Sequence, residues 1–324
     1  MKILILGGTQ FIGRHLVQST LAGGHEVTLF NRGKTGPELF PTTEKLIGNR
    51  DNDLNALRGR VWDAVLDVTG YLPAQVNASV QMLANAVDRY VFISTVMVLA
   101  DFRIAGQDET APLALTPDPP PKNGTGDVYG WRKAHCEKAV EAGFTGRALV
   151  IRPGFVVGPH DHTDRFTSWV RRIRRGGEML APGGPEGPLQ FIDVRDLAAF
   201  VLHALESGQA TAYNVTGPLG SLTWGSFFSR SNFCLGAETD LTWVSDEFLL
   251  ANGLSQWKLP LYPPPTARGL MAIDARKAIA AGLTFRSLEQ TIADTLQWHD
   301  SFGTATAGLP PDRETALLKA WHAR

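Results

Sequence analysis

An apolar run that ends in a glycine-rich turn opens the sequence and constrains the fold more than any other feature. Lys2–Leu6 has the residue types of a buried strand, the glycine-rich turn Gly7–Gly13 (GGTQFIG) follows, and Ile12–Leu21 has helical periodicity. A second strand is predicted at Glu26–Phe30. A strand, a turn, a helix and a strand within about thirty residues predict a βαβ unit, whose two strands lie parallel in one sheet.

The same alternation of strands and helices continues through the first half of the chain. Further strands are predicted at Lys45–Ile47, Asp63–Val68, Tyr90–Ser94 and Ala148–Arg152. Further helices are predicted at Leu54–Leu57, Pro73–Val87 and Val128–Ala142. A strand at Phe191–Val194, a helix at Arg195–Leu205 and a strand at Ala212–Val215 are expected to return to the same sheet. The pattern predicts an α/β fold, a doubly wound parallel Rossmann sheet with a smaller C-terminal substrate-binding lobe.

The glycine-rich turn is well placed to bind phosphate, because backbone N–H groups and the positive end of the helix dipole meet there. Gly7 suits a tight turn and Gly13 lets the helix approach the strand, whereas Gln10 stands where the usual motif has a glycine. We predict that the turn holds the pyrophosphate of a dinucleotide, the alternative being a turn without a ligand. The expected contacts are Gly7, Thr9, Gln10, Phe11, Ile12 and Gly13.

The end of the second strand indicates which dinucleotide is bound. Folds that prefer NAD place a carboxylate there, which accepts hydrogen bonds from the ribose 2′-hydroxyl. This sequence has Asn31, Arg32 and Lys34 instead, and a guanidinium can hold the 2′-phosphate that a carboxylate would repel. The pattern favours NADP over NAD, with Asn31 and Arg32 as ligands, unless Arg32 is simply a solvated turn residue.

A tyrosine and a lysine lie one turn apart at the start of the helix predicted at Val128–Ala142. Their spacing of four residues puts Tyr129 and Lys133 on one face. An ammonium group near the phenol, together with an oxidised nicotinamide, favours the phenolate and lowers the tyrosine pKa toward neutrality. Ser94 and Thr95 end a parallel strand at the sheet edge where such folds bind ligands. Tyr-x-x-x-Lys alone is common by chance, but this placement predicts a proton-transfer site.

Together these motifs resemble the extended short-chain dehydrogenase/reductase family, in its NAD-dependent epimerase/dehydratase branch. The similarity runs from residue 1 to about residue 220 and includes Arg152–Pro159 (RPGFVVGP), Phe191–Asp196 (FIDVRD) and Tyr213–Val215 (YNV). The resemblance implies a catalytic triad of Thr95, Tyr129 and Lys133, in which Tyr129 is the acid-base group and Lys133 holds the cofactor ribose. It also implies that Asp67 and Val68 lie beside the cofactor, that Pro153 lies near its carboxamide, and that the protein is a homodimer.

Three departures from the family pattern bear on the function. Gln10 makes the turn similar to that of atypical members, which include reductases and RNA-binding chloroplast proteins. Phe155 stands where sugar-nucleotide epimerases carry a substrate-contacting Asn, and Leu189 stands where they carry an Arg on the diphosphate. We therefore expect an NADP-dependent oxidoreductase that acts on a carbonyl or hydroxyl carbon of a small molecule. The alternatives are a sugar epimerase or dehydratase, and a non-catalytic dinucleotide sensor or RNA binder.

Composition shifts divide the chain into two parts. Residues 159–189 and 218–324 are richer in Pro, Gly and Trp, so we expect them to form the substrate-binding lobe. Residues 1–158 and 190–217 are expected to form the NAD(P)-binding Rossmann domain. Pro117–Gly126 is predicted to be a surface loop, either a rim of the active site or a connector. C-terminal helices are predicted at Leu288–His299 and Glu314–Trp321.

Charge and composition argue against several other classes of protein. With 31 basic and 32 acidic residues the net charge is −1, which gives no overall field for nucleic acid. The longest uncharged stretch, Val68–Val87, contains several polar residues, so no membrane span is expected, and without a secretory signal pattern we expect a cytoplasmic protein. The cysteines Cys136 and Cys234 indicate neither a disulfide framework nor a zinc site.

Two clusters of titratable residues allow more than one interpretation. His160-Asp161-His162 lacks a distant third ligand, which favours substrate contact over a metal site, so no metal is expected. The arginines of Arg171–Arg175 (RRIRR) end a predicted helix, where the helix dipole favours cations. Solvated arginines are the simplest interpretation, and an anionic substrate or RNA is the alternative.

Overall fold

The computed structural model describes residues 1–115, 128–254, 259–303 and 307–324. The predicted loop Pro117–Gly126 lies outside the described residues. The strands are β1 (Lys2–Leu6), β2 (Glu26–Asn31), β3 (Glu44–Ile47), β4 (Trp62–Asp67), β5 (Val87–Ile93), β6 (Ala148–Pro153), β7 (Val156–Val157), β8 (Gly177–Pro182), β9 (Ile192–Asp193), β10 (Ala212–Val215) and β11 (Thr239–Val244). The α-helices are α1 (Phe11–Ala22), α2 (Pro73–Leu83), α3 (Val128–Gly143), α4 (Arg165–Arg174), α5 (Val194–Glu206), α6 (Trp224–Leu235), α7 (Asp246–Ala251), α8 (Arg276–Ala280), α9 (Leu288–Phe302) and α10 (Pro311–His322).

Seven parallel strands form the central sheet, in the order β10-β6-β5-β4-β1-β2-β3. The chain builds the sheet outward from β1 in one direction through β2 and β3, then returns to β4 and builds it in the other. The strand order therefore reverses between β1 and β4, and the crevice at their carboxyl ends is where sheets of this kind bind ligands. The predicted doubly wound parallel Rossmann sheet is confirmed.

Helices cover both faces of this sheet, which explains why its strands are apolar throughout and not alternating. Ile3 and Ile5 of β1 point to one core, which also contains residues of α1 and α5. Leu4 and Leu6 point to the opposite core, which contains residues of α2 and α3. Helix α8, far along the chain, contributes Ala278 to the first of these cores.

A separate aromatic core holds the second part of the chain together. It contains residues of α4, α6, β8 and α9, with Phe166, Trp169, Trp224 and Phe228 among its buried side chains. Strands β8 and β11 pair in parallel as a two-stranded sheet beside it. The predicted C-terminal helices correspond to α9 and α10, each extended beyond its predicted bounds.

Two predictions of local structure are wrong. The strand predicted at Phe191–Val194 does not return to the central sheet, because β9 has only two residues and pairs with β7. Asp193 already caps α5 by accepting a hydrogen bond from the Arg195 N–H, so the chain turns into a helix at once. The helix predicted at Pro73–Val87 ends at Leu83, because Val87 pairs with Trp62 in the sheet.

The segment predicted as a helix at Leu54–Leu57 is a single 3-10 turn over Asn55–Leu57. Within the ranges given above, no helix is both long enough and apolar enough to span a bilayer.

Candidate functional site

The glycine-rich turn brings its backbone unusually close to neighbouring elements. Gly7 has φ +111°, and a Cβ there would lie 2.6 Å from the Thr69 side chain. A Cβ on Gly13 would lie 3.0 Å from the Gly8 backbone, so α1 can approach β1 only with glycine at this position. Gln10 makes no capping hydrogen bond and the first turn of α1 has no acidic residue, which leaves a site suited to an anion.

A cavity of about 490 Å³ opens beside this turn. Nine of the residues predicted to bind the cofactor line it, namely Gly7, Thr9, Gln10, Phe11, Ile12, Gly13, Asn31, Arg32 and Val68. Lys34, expected to add charge beside Arg32, also lines it. Further lining residues that had no predicted cofactor role are Arg50, Asp51, Tyr71, Gln75 and His162. The predicted phosphate turn and the end of β2 therefore face one cavity.

Asn31 and Arg32 have different surroundings at the end of β2. The Asn31 amide donates to the Gly7 carbonyl at 3.1 Å and its oxygen accepts from the Gly33 N–H at 2.8 Å, so Asn31 joins β2 to the turn. Arg32 and Lys34 are exposed. Among the described residues, no carboxylate lies within ion-pair distance of Arg32. This edge of the cavity is cationic.

A buried ion pair lies beside the cavity and was missed by the sequence analysis. The Arg50 guanidinium donates to both carboxylate oxygens of Asp67, at 2.6 and 2.7 Å, and the Tyr90 hydroxyl donates to the same carboxylate at 2.7 Å. Although burial favours the neutral acid, Arg50 holds the pKa of Asp67 below its ordinary value. Asp67 itself lies outside the cavity lining, whereas Val68 is part of it.

Lys133 is buried at the carboxyl ends of two central strands. Its ammonium donates to the Ile93 carbonyl at 2.6 Å and to the Gly70 carbonyl at 2.9 Å, and it lies 4.1 Å from the centre of the Phe92 ring. Burial lowers the pKa of Lys133 to about 8, against the opposing charge of Asp67. Lys133 is thus a cation that α3 anchors between β4 and β5.

Thr95 and Ser94 follow β5 directly and have different partners. The Thr95 hydroxyl accepts a hydrogen bond from the Met97 N–H at 3.2 Å, in the turn that packs against α3. The Ser94 hydroxyl donates to the Glu137 carboxylate. The Ser94 proton is therefore committed to a buried acid, whereas the Thr95 hydroxyl acts as an acceptor in its own turn.

Glu137 lies one turn beyond Lys133 on α3 and forms a fully buried ion pair. Arg152 of β6 donates to Glu137 at 2.7 Å and at 3.0 Å, and both side chains are at most 3% exposed. This pair fixes α3 against the central sheet. Tyr129, one turn before Lys133, is 41% exposed.

The loop that follows β7 closes over the glycine-rich turn. His162 lines the cavity and its ring meets the Phe11 ring edge-on at 6.4 Å. The His15 ring of α1 hydrogen-bonds the Pro159 carbonyl at 3.0 Å. In the described ranges, no three His, Cys, Asp or Glu residues come together as a metal site.

The two departures at Phe155 and Leu189 lie at the same aromatic core. Leu189 is 2% exposed and belongs to the aromatic core of the second part of the chain, and Phe155 packs partly buried against the same core. The Arg165 guanidinium lies 6.0 Å from the centre of the Phe155 ring. The lining of the 490 Å³ cavity does not include the residues predicted for catalysis or the carboxamide, which are Thr95, Tyr129, Lys133 and Pro153.

The geometry and the sequence define the same class of protein. Residues 3–216 match the NAD dependent epimerase/dehydratase family. The chain therefore belongs to this family, as its motifs predicted.

The comparisons also identify individual similar proteins. The chloroplast stem-loop binding protein of 41 kDa b from Arabidopsis thaliana is 25% identical over 239 residues, which is 67% of this chain and 58% of that protein. The 2′-dehydrokanamycin reductase of Streptomyces kanamyceticus is 26% identical over 219 residues, 65% of this chain and 57% of that protein. The matches thus span less than two thirds of both relatives.

Among solved structures, UDP-glucuronic acid 4-epimerase from Bacillus cereus in complex with NAD has the same fold. It aligns with a TM-score of 0.69 at 16% identity, over 94% of this chain and 100% of that chain. At this identity the likeness concerns the fold alone.

Proposed function

We propose that the protein is an NADP-dependent oxidoreductase of the extended short-chain dehydrogenase/reductase type, with Thr95, Tyr129 and Lys133 as its catalytic residues. The observation that carries the proposal is the place of Lys133. Lys133 lies on the helix that bears Tyr129, and its ammonium is held by the Gly70 and Ile93 carbonyls at the carboxyl ends of two central strands. Ile93 precedes Thr95 by two residues in the chain. Such an edge is where doubly wound sheets bind their ligands.

The residues around the 490 Å³ cavity fit a dinucleotide. The glycine-rich turn offers backbone N–H groups and the positive end of α1 to a pyrophosphate, and a side chain at Gly7 or Gly13 would block this approach. Arg32 and Lys34 provide cationic groups where NAD-binding folds carry an acid, so a ribose 2′-phosphate would be held there. The bound nicotinamide would supply or accept the hydride.

The chain's own residues would handle the proton and the substrate oxygen. The Tyr129 hydroxyl would give its proton to a carbonyl oxygen during reduction, or take one from a hydroxyl during oxidation. Lys133 would stabilise the resulting phenolate, because a cation one turn away lowers the phenol pKa. The Thr95 hydroxyl would donate a hydrogen bond to the same substrate oxygen and so orient it.

The substrate is proposed to be a small carbonyl or hydroxyl compound. Phe155 and Leu189 place apolar side chains where sugar-nucleotide enzymes use an amide and a guanidinium, and Leu189 is buried in a core. A diphosphate would have no paired charge at these positions. The similarity to 2′-dehydrokanamycin reductase supports a reductase.

The test is NADPH oxidation with a panel of small aldehydes and ketones. We expect the wild-type protein to consume NADPH stoichiometrically with product, and Tyr129→Phe to abolish turnover while keeping NADPH affinity. Arg60→Ala, an exposed change outside the site, is the control. If Tyr129→Phe retained most of the wild-type rate, the acid-base assignment would be wrong.

An epimerase or dehydratase is the second candidate, because the family contains this chemistry. Such an enzyme would return the hydride to its own substrate, and NADPH would not be consumed. An RNA-binding role, suggested by the chloroplast relative, would show as salt-dependent retention of RNA without turnover.

The same proposal assigns residues 159–189 and 218–324 to substrate binding and includes a cytoplasmic homodimer. Light scattering after size exclusion would measure the mass of the assembly.

A further inference from the structure

A second cavity, of about 530 Å³, lies on the part of the chain built around the aromatic core. It shares no lining residue with the cavity beside the glycine-rich turn. Its walls come from the C-terminal half of α4, from β8, and from the segment that leads into α10. Four arginines line it, Arg171, Arg172, Arg174 and Arg175. They are the arginines that the sequence analysis left without an assigned role.

Carboxylates match only part of this positive charge. Arg172 and Arg175 share one acid, since both donate to the same oxygen of Glu314, at 2.6 and 2.9 Å. Arg174 pairs with Asp300, outside the lining, at 2.7 Å. Among the described residues, no carboxylate lies within ion-pair distance of Arg171. Four guanidinium groups against two carboxylates leave two positive charges unmatched.

This concentration of charge is unfavourable for the helix unless a ligand compensates it. Like charges three and four residues apart repel, as Arg171 does with Arg174 and Arg175. The helix dipole favours cations in the last turn, but this effect alone does not explain a cluster of four arginines. The chain as a whole has a net charge of −1, so the arginines are a local feature of this cavity. Residues whose placement is unfavourable for local structure, like these closely spaced arginines, are often functional.

The remaining walls are apolar and closely fitted. Trp169, Leu180 and Leu309 line the cavity beside the arginines. Gly308 has φ +93°, and a Cβ there would lie 3.1 Å from the Ser168 side chain, so the segment before α10 approaches α4 closely. The Glu314 carboxylate also accepts from the Leu180 N–H at 3.2 Å, which fixes α10 to β8. The cavity is thus walled by three elements that hydrogen bonds and close packing hold in place.

We propose that this cavity is a second binding site, separate from the cofactor site, for a small organic anion with an aromatic or apolar body. Guanidinium groups bind phosphate and carboxylate oxygens as paired donors. Arg171, Arg174 and Arg175 are exposed, but Arg174 already uses two donors on Asp300, whereas Arg175 makes a single bond to Glu314, so Arg171 and Arg175 have donors for a ligand. The volume is typical of a small-molecule site. A concave site with apolar walls suits a small ligand better than the extended basic face that nucleic acid requires.

The test uses phenyl phosphate as the probe, measured by isothermal titration, with inorganic phosphate and phenol as its two halves. We expect phenyl phosphate to bind with a Kd below about 1 mM and each half to bind at least about tenfold more weakly. The Arg171→Gln/Arg175→Gln double variant should weaken the affinity for phenyl phosphate at least about tenfold. Arg171→Gln alone, which breaks no side-chain hydrogen bond to any described residue, should also weaken this affinity. Arg230→Gln, which removes an exposed ion pair with Glu289, is the matched control and should change nothing.

NADPH separates this site from the cofactor site. Saturating NADPH should leave phenyl phosphate binding unchanged, and both variants should bind NADPH like wild type. Competition with NADPH, unchanged binding in the double variant, or no binding at all would each overturn the proposal. Retention of a stem-loop RNA that depends on Arg171 and Arg175, without phenyl phosphate binding, would also overturn it and assign the arginines to nucleic acid.

Discussion

The burial of Lys133 predicts a specific dependence of stability on pH. A lysine whose pKa falls from 10.5 to about 8 destabilises the folded protein by about 3 kcal/mol while both states carry the proton. This cost is present in full below pH 8. As pH rises from 8 to 10.5 the folded protein releases the proton before the unfolded chain does, so the free energy of unfolding rises.

Lys133→Met removes this titration and keeps a side chain of similar length. Between pH 7 and pH 10 the wild-type protein should gain roughly 2–3 kcal/mol in free energy of unfolding relative to Lys133→Met. Chemical denaturation followed by circular dichroism at both pH values measures the difference. Comparison with the variant cancels the other titrating groups.

Lys138→Met is the matched control, because Lys138 lies on the same helix in an exposed pair with Glu141. Its stability should follow the wild-type pH profile. Parallel profiles for wild type and Lys133→Met would refute the reasoning, because they would mean that Lys133 is not a desolvated cation. In activity assays, Lys133→Met should be inactive at every pH tested.

Three further predictions follow from other parts of the structure. Glu137→Leu leaves Arg152 buried without its partner and should lower the free energy of unfolding by about 3–5 kcal/mol, whereas exposed Glu141→Leu should change it by less than about 1 kcal/mol. Equal effects in denaturant titrations would contradict the role of the Glu137–Arg152 ion pair in fixing α3 to the sheet. Burial, with the charges of Arg14 and His15, lowers the pKa of His160 to about 4. Acidification from pH 6.5 to 4 should therefore destabilise the wild-type protein more than His160→Asn. Equal acid sensitivity of the two proteins would contradict the lowered pKa. Isothermal titration with UDP-glucose, UDP-galactose and dTDP-glucose in the presence of NADP should detect no tight binding, and micromolar affinity for any of them would favour the epimerase.

Local patterns predicted the first βαβ unit closely. β1 has its predicted bounds, α1 begins and ends one residue outside its predicted range, and β2 continues one residue beyond its predicted end. These elements depend on short-range signals, because glycine, helical periodicity and β-branched runs act over a few residues. The same short-range signals selected Gly7–Gly13 and Arg32, and these residues line one cavity.

Features that depend on long-range contacts were not predictable. Val87 belongs to β5 only because Trp62 lies beside it, so helical periodicity alone extended α2 too far. Arg50 follows β3 with no local signal, and its role depends on Asp67, seventeen residues later, which it meets across the sheet edge. Glu137 and Arg152 likewise become an ion pair only when α3 packs on β6.

The central claim is that this is an NADP-dependent enzyme, and a cofactor titration tests it most directly. The fluorescence of the reduced nicotinamide gives the Kd of NADPH and of NADH for wild type, Arg32→Ala and the exposed control Arg60→Ala. We expect wild type to bind NADPH more tightly than NADH, Arg32→Ala to lose about 1.5–3 kcal/mol of binding free energy for NADPH, and little change for NADH or in the control. Equal losses for both cofactors in Arg32→Ala, or a wild-type preference for NADH, would contradict the claim.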